Sequence, residues 1–189
     1  MKLETSFAIA LPTWCAALAA ELPEHLPEPI DRMRLAIELS RRNVEAGSGG
    51  PFGAVVARID DGLLLGIGVN RVEPGHCSSA HAEIVALSLA QARLAHWNLG
   101  EAGAVELASS CEPCAMCLGA IPWSGLRRVL CGASKADAEQ AGFDEGARDP
   151  AWADALARRG IELRTAIERK AARSVLLDYR DRGARIYNP

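Results

Sequence analysis

Residues 109–120 read SSCEPCAMCLGA and place Cys111, Cys114 and Cys117 within seven positions. The segment begins with the end of an apolar run, AVELASS, so it predicts a buried strand that leads into a short helix with Pro113 in its first turn. Cysteines three positions apart at a helix start lie on one face, where the helix dipole favours their thiolate forms. Cys114 and Cys117 therefore suit either a redox pair or a metal site.

A nearby imidazole distinguishes these two alternatives, because a redox pair needs no third partner whereas zinc needs about four ligands. His81, in the sequence AHAE at the predicted start of an earlier helix, supplies that imidazole. HAE and PCAMC together form the H-x-E…P-C-x-x-C signature of zinc-dependent nucleobase and nucleoside deaminases. The predicted ligands are therefore His81, Cys114 and Cys117, which bind one Zn²⁺ per chain and leave a fourth position for water.

Glu83 is the predicted acid and base of this site. It follows His81 by two residues, about 200° around a helix, so the two side chains would not reach one metal from the same face. Glu83 is then free to accept a proton from water, to protonate a ring nitrogen and finally to protonate the departing amine. Outside this motif, a glutamate in the first turn of a helix is more often an exposed residue that the helix dipole favours.

The residues on either side of the motif predict an alternation of helices and strands. The expected helices span residues 12–20, 30–45, 80–97, 113–121, 135–141, 150–159 and 168–182. The expected strands are PFGAVVARI, LLLGIGVN, AVELASS, RRVLCGA and IELRT, the first two forming a hairpin. This order predicts a three-layer α/β/α sandwich around a central mixed five-stranded sheet. It also predicts an N-terminal extension at 1–29 with a short helix, followed by one catalytic domain at 30–189.

Composition excludes several other classes of protein. A chain of 189 residues with 49% hydrophobic content can bury a full core, and its six cysteines are too few and too irregular for a disulfide scaffold. A net charge of −3 and a pI near 5.8 argue against a nucleic-acid partner. The N-terminus superficially resembles a secretory signal, but Glu4 and Pro12 interrupt that pattern, so the expected location is cytoplasmic, with no membrane segment.

The sequence resembles the cytidine deaminase-like superfamily and, within it, the bacterial guanine deaminases. The resemblance spans residues 49–146 and is carried by PFGAVV, Asn70, HAE, SSCEPCAMCLGAI and AGFDE. It implies that guanine and water are converted to xanthine and ammonia, with hydroxide attacking C2 of the base. It also implies that Glu145 contacts the purine or relays a proton, and neighbouring Asp144 is the competing assignment.

Further residues are candidates for contact with the base. Asn70 ends the second strand, where its amide either donates to and accepts from a planar base or serves in a turn, and the resemblance favours binding. Phe143 and Trp123 are candidates to stack on a purine, although packing in the core is an equal alternative. Phe52 in PFGAVV and Ala82 in HAE complete the predicted contacts.

The C-terminal segment DYRDRGARIYNP is a predicted lid. The resemblance implies a homodimer in which such a segment closes the site, delivered from the partner subunit by a domain swap. Ile186 and Tyr187 are the apolar residues nearest the end and follow Gly183. A frayed terminus is the alternative, and the sequence leaves open whether the tail covers its own site or that of a partner.

Three other functions stay open at this stage. A tRNA adenosine deaminase shares the HAE and PCxMC motifs, but it would need a basic surface such as the arginine-rich segment 158–173. A deaminase of another amino-substituted purine, pyrimidine or triazine would use the same zinc site. A zinc-bearing binding protein without catalysis is the non-enzyme alternative, and the presence of Glu83 argues against it.

Overall fold

A computed structural model describes residues 3–187 of the chain. The helices are α1 (Thr13–Glu21), α2 (Pro29–Glu45), α3 (Ala82–Leu94), α4 (Ala115–Ala120), α5 (Lys135–Gln140), α6 (Trp152–Ala157) and α7 (Arg169–Asp181). The strands are β1 (Gly53–Arg58), β2 (Leu64–Val69), β3 (Val105–Cys111), β4 (Arg128–Ala133) and β5 (Glu162–Arg164). Every predicted helix and strand is present, with ends that shift by a few residues.

The five strands form one mixed sheet in the order β2-β1-β3-β4-β5. Strand β1 is antiparallel to its neighbours β2 and β3, whereas the central strand β3 is parallel to β4, which is parallel to β5. All residues of β3 and β4 are buried, as expected for parallel strands that are covered on both faces. The predicted three-layer α/β/α sandwich with a five-stranded mixed sheet is confirmed.

Two apolar clusters lie on opposite faces of this sheet. One face is covered by α1, α2, α5 and α7, whose buried residues pack on β1 and β4. The other face is covered by α3, α6 and the turn after α4. Cys15 and Leu18 of α1 are buried in the first cluster, so the N-terminal helix packs on the core. The division into an extension at 1–29 and a domain at 30–189 stays a prediction.

The helix starts show why two predicted boundaries were too early. His81 and Cys114 have extended backbone angles and are the N-cap residues of α3 and α4. The helices therefore begin at Ala82 and Ala115, two residues later than predicted. Helix α3 also ends before residue 97, because Ala95 adopts a left-handed conformation with φ of 51°. None of the helices within residues 3–187 is long and apolar enough to cross a membrane.

Candidate metal centre and nucleobase site

Three side chains meet where α3 and α4 begin. The ligand atoms of His81, Cys114 and Cys117 all lie within 4.8 Å of one another. The Cys114 sulfur is 3.5 Å from Nδ1 of His81 and accepts a hydrogen bond from the Cys117 backbone N–H at 3.5 Å. Cys111 lies outside this group, and its sulfur is 3.6 Å from the carbonyl oxygen of Ser134.

The charges of the two cysteines fit a divalent metal. A hydrogen bond from the Cys117 thiol lowers the pKa of Cys114 to about 4, so Cys114 is a thiolate at neutral pH. The same hydrogen bond, together with burial, raises the pKa of Cys117, so the pair holds one proton between its sulfurs. One imidazole and two sulfurs are ligands that zinc prefers, and a metal would displace the shared proton.

Glu83 faces the same site without belonging to the ligand group. It is 6% exposed, and burial, followed by the nearby Cys114 thiolate, raises the pKa of its carboxyl. Glu83, His81 and Cys114 line one enclosed cavity of about 10 Å³. Because His81 precedes the first helical residue, the expected 200° separation on a helix does not apply here, and both side chains reach this cavity.

Glu145 lines the enclosed cavity, whereas Asp144 lines only a wider cavity outside it. Glu145 is 7% exposed and lines both the enclosed cavity and a wider outer cavity of about 270 Å³. Burial raises the pKa of Glu145 to about 8. The backbone carbonyl of Glu145 accepts a hydrogen bond from the N–H of Ala115, which ties this loop to the start of α4. Asp144 is exposed, and its carboxylate accepts from the Gly146 N–H at 2.8 Å.

Aromatic rings close one side of the cavity. Phe52 and Phe143 both line it, with ring centroids 4.9 Å apart in an edge-to-face arrangement. Tyr187 packs on Phe143 at 5.5 Å and lines both the inner and the outer cavity. The C-terminal segment therefore covers the site of its own chain. Asn188 and Pro189, the end of the predicted lid, lie outside the described residues.

Asn70 presents an unpaired amide beyond β2. It is 1% exposed, and its Oδ1 accepts a hydrogen bond from the Val72 N–H at 3.2 Å. Its Nδ2 is buried and has no hydrogen-bond partner among residues 3–187. Since leaving a buried donor unpaired costs about 1–3 kcal/mol, this amide is suited to a bound polar molecule.

Asn70, Ala82 and Trp123 are the predicted contacts that line neither the enclosed nor the outer cavity. Ala82 is fully buried in the apolar cluster between α3 and the sheet, because an alanine at the first helical position turns towards β2. Trp123 follows α4 in a short 3₁₀ helix and is 76% exposed. A single chain gives neither Ala82 nor Trp123 a route to the enclosed cavity.

Comparison with known proteins identifies the family. Residues 28–133 match the cytidine and deoxycytidylate deaminase zinc-binding region. The chain belongs to this deaminase family. Its three-ligand site is accordingly a zinc site, and the protein is a zinc-dependent aminohydrolase that acts on a small molecule.

Individual relatives within the deaminase family are similar over different lengths. The guanine deaminase of Bacillus subtilis is 41% identical over 113 residues, which cover 60% of this chain and 69% of that protein. A solved guanine deaminase from Nitrosomonas europaea is 45% identical, covers 96% of this chain and 100% of its own, and superimposes with a TM-score of 0.88. A solved complex with 2,6-diaminopurine is 46% identical over 97% of both chains, with a TM-score of 0.89.

Glu112 is a residue of this deaminase site that the motif does not identify. It lines the enclosed cavity and accepts hydrogen bonds from the Arg148 guanidinium at 2.7 Å and from the Lys135 N–H at 3.1 Å. Arg148 in turn lies 4.3 Å above the Trp152 ring. Glu112 thus connects the loop that carries Cys114 to the segment that follows Glu145. A charged residue between a buried strand and a metal ligand is the sequence signal for this role.

Proposed function

We propose that this protein catalyses the hydrolytic deamination of guanine, which converts guanine and water to xanthine and ammonia. The observation that carries the proposal is a second buried carboxyl group, Glu145, which shares the cavity of Glu83 and the metal ligands. A carboxylate there accepts hydrogen bonds from the N–H groups of a guanine ring. The similarity to the Bacillus subtilis and Nitrosomonas europaea guanine deaminases over most of their length supports the same substrate.

The proposed chemistry divides between the metal and the side chains. His81, Cys114 and Cys117 would hold the zinc, which would supply an activated water molecule at neutral pH. Glu83 would accept one proton of that water and transfer it to a ring nitrogen of guanine. It would then take the proton of the hydroxyl group added at C2 and deliver it to the leaving amine, so that ammonia departs as the carbonyl group of xanthine forms. Its burial keeps the carboxyl next to the reacting atoms and away from bulk water.

Recognition of the base is assigned to residues on the other side of the cavity. The unpaired Nδ2 of Asn70 donates to an acceptor of the purine, and Glu145 accepts from its N–H groups. Phe52 and Phe143 provide apolar surface for the ring plane. Glu145 and Asn70 thus select an edge with both donors and acceptors, whereas the rings accept any planar base.

Entry of a purine requires movement of the tail. A cavity of about 10 Å³ holds about one water-sized molecule, and Tyr187 separates it from the outer cavity of about 270 Å³. We infer that the C-terminal segment moves away to admit guanine and then returns to exclude water.

The homodimer stays a prediction. Met116 and Trp123, beside the metal ligands, are exposed apolar residues that a partner subunit would bury. The tail packs against its own chain, which is the unswapped arrangement. Mixing a Cys114→Ser chain with a chain that lacks residues 186–189 separates the possibilities, because only a swapped tail restores a complete site. The cytoplasmic location also stays a prediction.

A substrate panel tests the proposed function. Ammonia release would be measured with guanine, cytosine, an amino-substituted triazine and adenosine in a tRNA anticodon stem, each with the zinc-loaded protein. We expect guanine to be consumed with xanthine as the product, and no turnover of the tRNA. Deamination of the tRNA or of cytosine without turnover of guanine would reject the proposal.

A further inference from the structure

A fully buried asparagine lies behind the proposed base-binding residues. Asn43 belongs to the last turns of α2 and is 0% exposed. Its Nδ2 donates to the backbone carbonyls of Gly50 at 2.9 Å and Asn70 at 3.0 Å. Its Oδ1 accepts from the Ser48 hydroxyl at 2.8 Å. One side-chain amide therefore joins the loop after α2 to the end of β2.

The two carbonyls bonded by Asn43 belong to residues that adjoin the lining of the enclosed cavity: the Asn70 N–H donates to the carbonyl of Phe52 at 3.1 Å, and Gly50 lies against Tyr187. Asn70 carries the unpaired amide. Tyr187 packs directly against Gly50, so closely that a Cβ atom at position 50 would overlap the tyrosine ring and hydroxyl. Gly49 lies so close to the Asn70 carbonyl that a Cβ atom there would also overlap it. A shift of Asn43 would consequently move both Asn70, the proposed base contact, and Gly50, against which the tail packs.

The N-terminal segment holds Asn43 from the other side. The indole N–H of Trp14, in α1, donates to the Ser48 hydroxyl at 3.0 Å, and that hydroxyl donates to Asn43. The Arg71 guanidinium bonds both the Ala10 carbonyl at 3.1 Å and the carbonyl of Ser48. A continuous set of hydrogen bonds thus runs from α1 through Ser48 and Asn43 to Asn70.

We propose that Asn43 is a positioning residue for guanine binding. Its side-chain amide fixes Asn70 and Gly50, the residue against which Tyr187 packs. Trp14 orients that amide through the hydroxyl of Ser48. This inference rests on the proposed function for its ligand. Asn43 does not touch the base. It sets the position of Asn70, the proposed base contact, and of Gly50, against which the lid residue Tyr187 packs, and it gives the N-terminal helix a role at the site. Removal of the Asn43 amide should therefore weaken the affinity for guanine and leave the zinc ligands intact.

The main test substitutes Asn43→Asp, which keeps the size of the side chain and removes both N–H donors. Guanine binding would be measured by calorimetry in a Glu83→Gln background, where zinc and substrate stay bound without turnover. We expect the affinity to fall about 10-fold to 100-fold, in line with the loss of about two hydrogen bonds that hold the binding residues. Zinc content should be unchanged.

Ser40→Ala is the matched control. Ser40 is buried in the same helix, and its hydroxyl has no hydrogen-bond partner among the described residues. It should leave guanine affinity and turnover unchanged. If Asn43 has only a structural role, Asn43→Asp will lower the thermal midpoint of unfolding but will bind guanine with normal affinity at temperatures well below that midpoint. That result would overturn the inference.

Two milder variants decide the matter if Asn43→Asp does not fold. Trp14→Phe keeps an aromatic ring in α1 and removes its N–H, and Ser48→Ala removes the relay hydroxyl. Each should weaken guanine binding about 2-fold to 5-fold, the effect of one neutral hydrogen bond. Unchanged affinity in both would contradict the proposed relay.

Hydrogen exchange separates this inference from the proposed function. The proposed function fails if the wild type does not turn over guanine and the Glu83→Gln variant does not bind it. The positioning role then depends on the ligand-free protein, in which Asn43→Asp should accelerate amide exchange at residues 47–52 and 70–72 relative to Ser40→Ala. Equal exchange in the two variants would overturn the inference on its own.

Discussion

The metal half and the base half of this site are built in different ways. His81 and Cys114 are N-caps of neighbouring helices, and Cys117 lies one turn further along α4, so two short sequence blocks supply the complete ligand set. The base half instead combines Phe52, Asn70, Phe143, Glu145 and Tyr187, which come from three loops and the C-terminal segment. Phe143 and Glu145 share one loop, but nothing in the sequence spacing brings that loop to the other three residues.

The metal half carries the chemistry of the reaction, and the base half carries the selectivity for the substrate. The ligands and Glu83 have fixed positions relative to the starts of two helices that pack on the central sheet. Groups on loops depend on hydrogen bonds to distant residues, as Glu145 does through Ala115 and Asn70 through Asn43. We therefore expect substitutions in the metal half to abolish the reaction and substitutions in the base half to weaken it by degrees.

The largest effect should come from the zinc ligands. Cys114→Ser or Cys117→Ser should reduce zinc from about one per chain to none and abolish turnover, because two ligands hold zinc poorly. Metal analysis of the dialysed protein checks this. Cys111→Ser is the control and should retain zinc, since burial raises the pKa of that thiol well above its usual range and its sulfur lies outside the ligand group. Loss of zinc from the control would contradict the ligand set.

Glu83→Gln should have the next largest effect. The amide keeps the shape of the side chain and cannot carry protons, so turnover of guanine should fall about 10²-fold to 10⁴-fold. Zinc content and the thermal midpoint should stay close to those of the wild type. Steady-state kinetics and metal analysis on the same preparation provide the check. Normal turnover by this variant would remove Glu83 from the mechanism.

Glu145→Gln should have a smaller effect that depends on the substrate. Replacing the carboxyl group by an amide exchanges an oxygen that accepts from the N–H groups of the base for an NH₂ donor, so kcat/KM for guanine should fall about 10-fold to 100-fold. Asp144→Asn should leave kcat/KM unchanged, because Asp144 is exposed and its carboxylate caps a backbone N–H. The reverse result would transfer the role to Asp144 and contradict the orientation of the loop.

Deletion of residues 186–189 should leave a functional metal half. Turnover of guanine should fall at least about tenfold, which corresponds to about 1.4 kcal/mol, because water then enters the cavity that Tyr187 closes. Zinc content should be unchanged, and the thermal midpoint should fall only slightly. Tyr187→Phe separates the ring from its hydroxyl, which is buried without a partner among residues 3–187. A deletion variant with normal kcat and KM would exclude the lid.

The smallest effect concerns the helix that leads into the Glu145 loop. Asp137 forms a capping box with Ser134 at the start of α5, and the Arg169 guanidinium, 2.8 Å away, lowers the pKa of Asp137 to about 2. Asp137→Asn should lower the free energy of unfolding by about 1–2 kcal/mol.

The pH dependence of that loss follows from the direction of the pKa shift. A carboxyl whose pKa is depressed in the folded state stabilises the protein above its unfolded pKa, near 4, and this contribution disappears as the pH falls towards 2. Urea unfolding of both proteins between pH 7 and pH 3 checks this. A difference that grows on acidification would contradict the ion pair.

The fold and the metal half were accessible from the sequence because both depend on local patterns. Apolar patterns and turn residues identified the seven α-helices and five strands of residues 3–187, although not the 3₁₀ helix at Leu99–Ala102. The HAE and PCAMC blocks identified the ligands, since the N-cap positions of α3 and α4 place them in space. Glu83 followed from the same block, although its route to the cavity depends on the extended backbone of His81.

The base half required the tertiary structure, because it depends on contacts between residues far apart in the chain. The preference for Glu145 over Asp144 comes from the path of one loop, and the positions of Ala82 and Trp123 outside the cavity come from the direction of a helix face. Glu106 shows the same limit away from the site: it is fully buried between Arg32 and Arg128, which lie on different elements. A sequence motif records only which side chains are close along the chain. Asn43, Glu112 and Tyr187 instead contact residues that are far away in the sequence, and the packing of helices, loops and tail brings those residues within hydrogen-bonding or van der Waals distance.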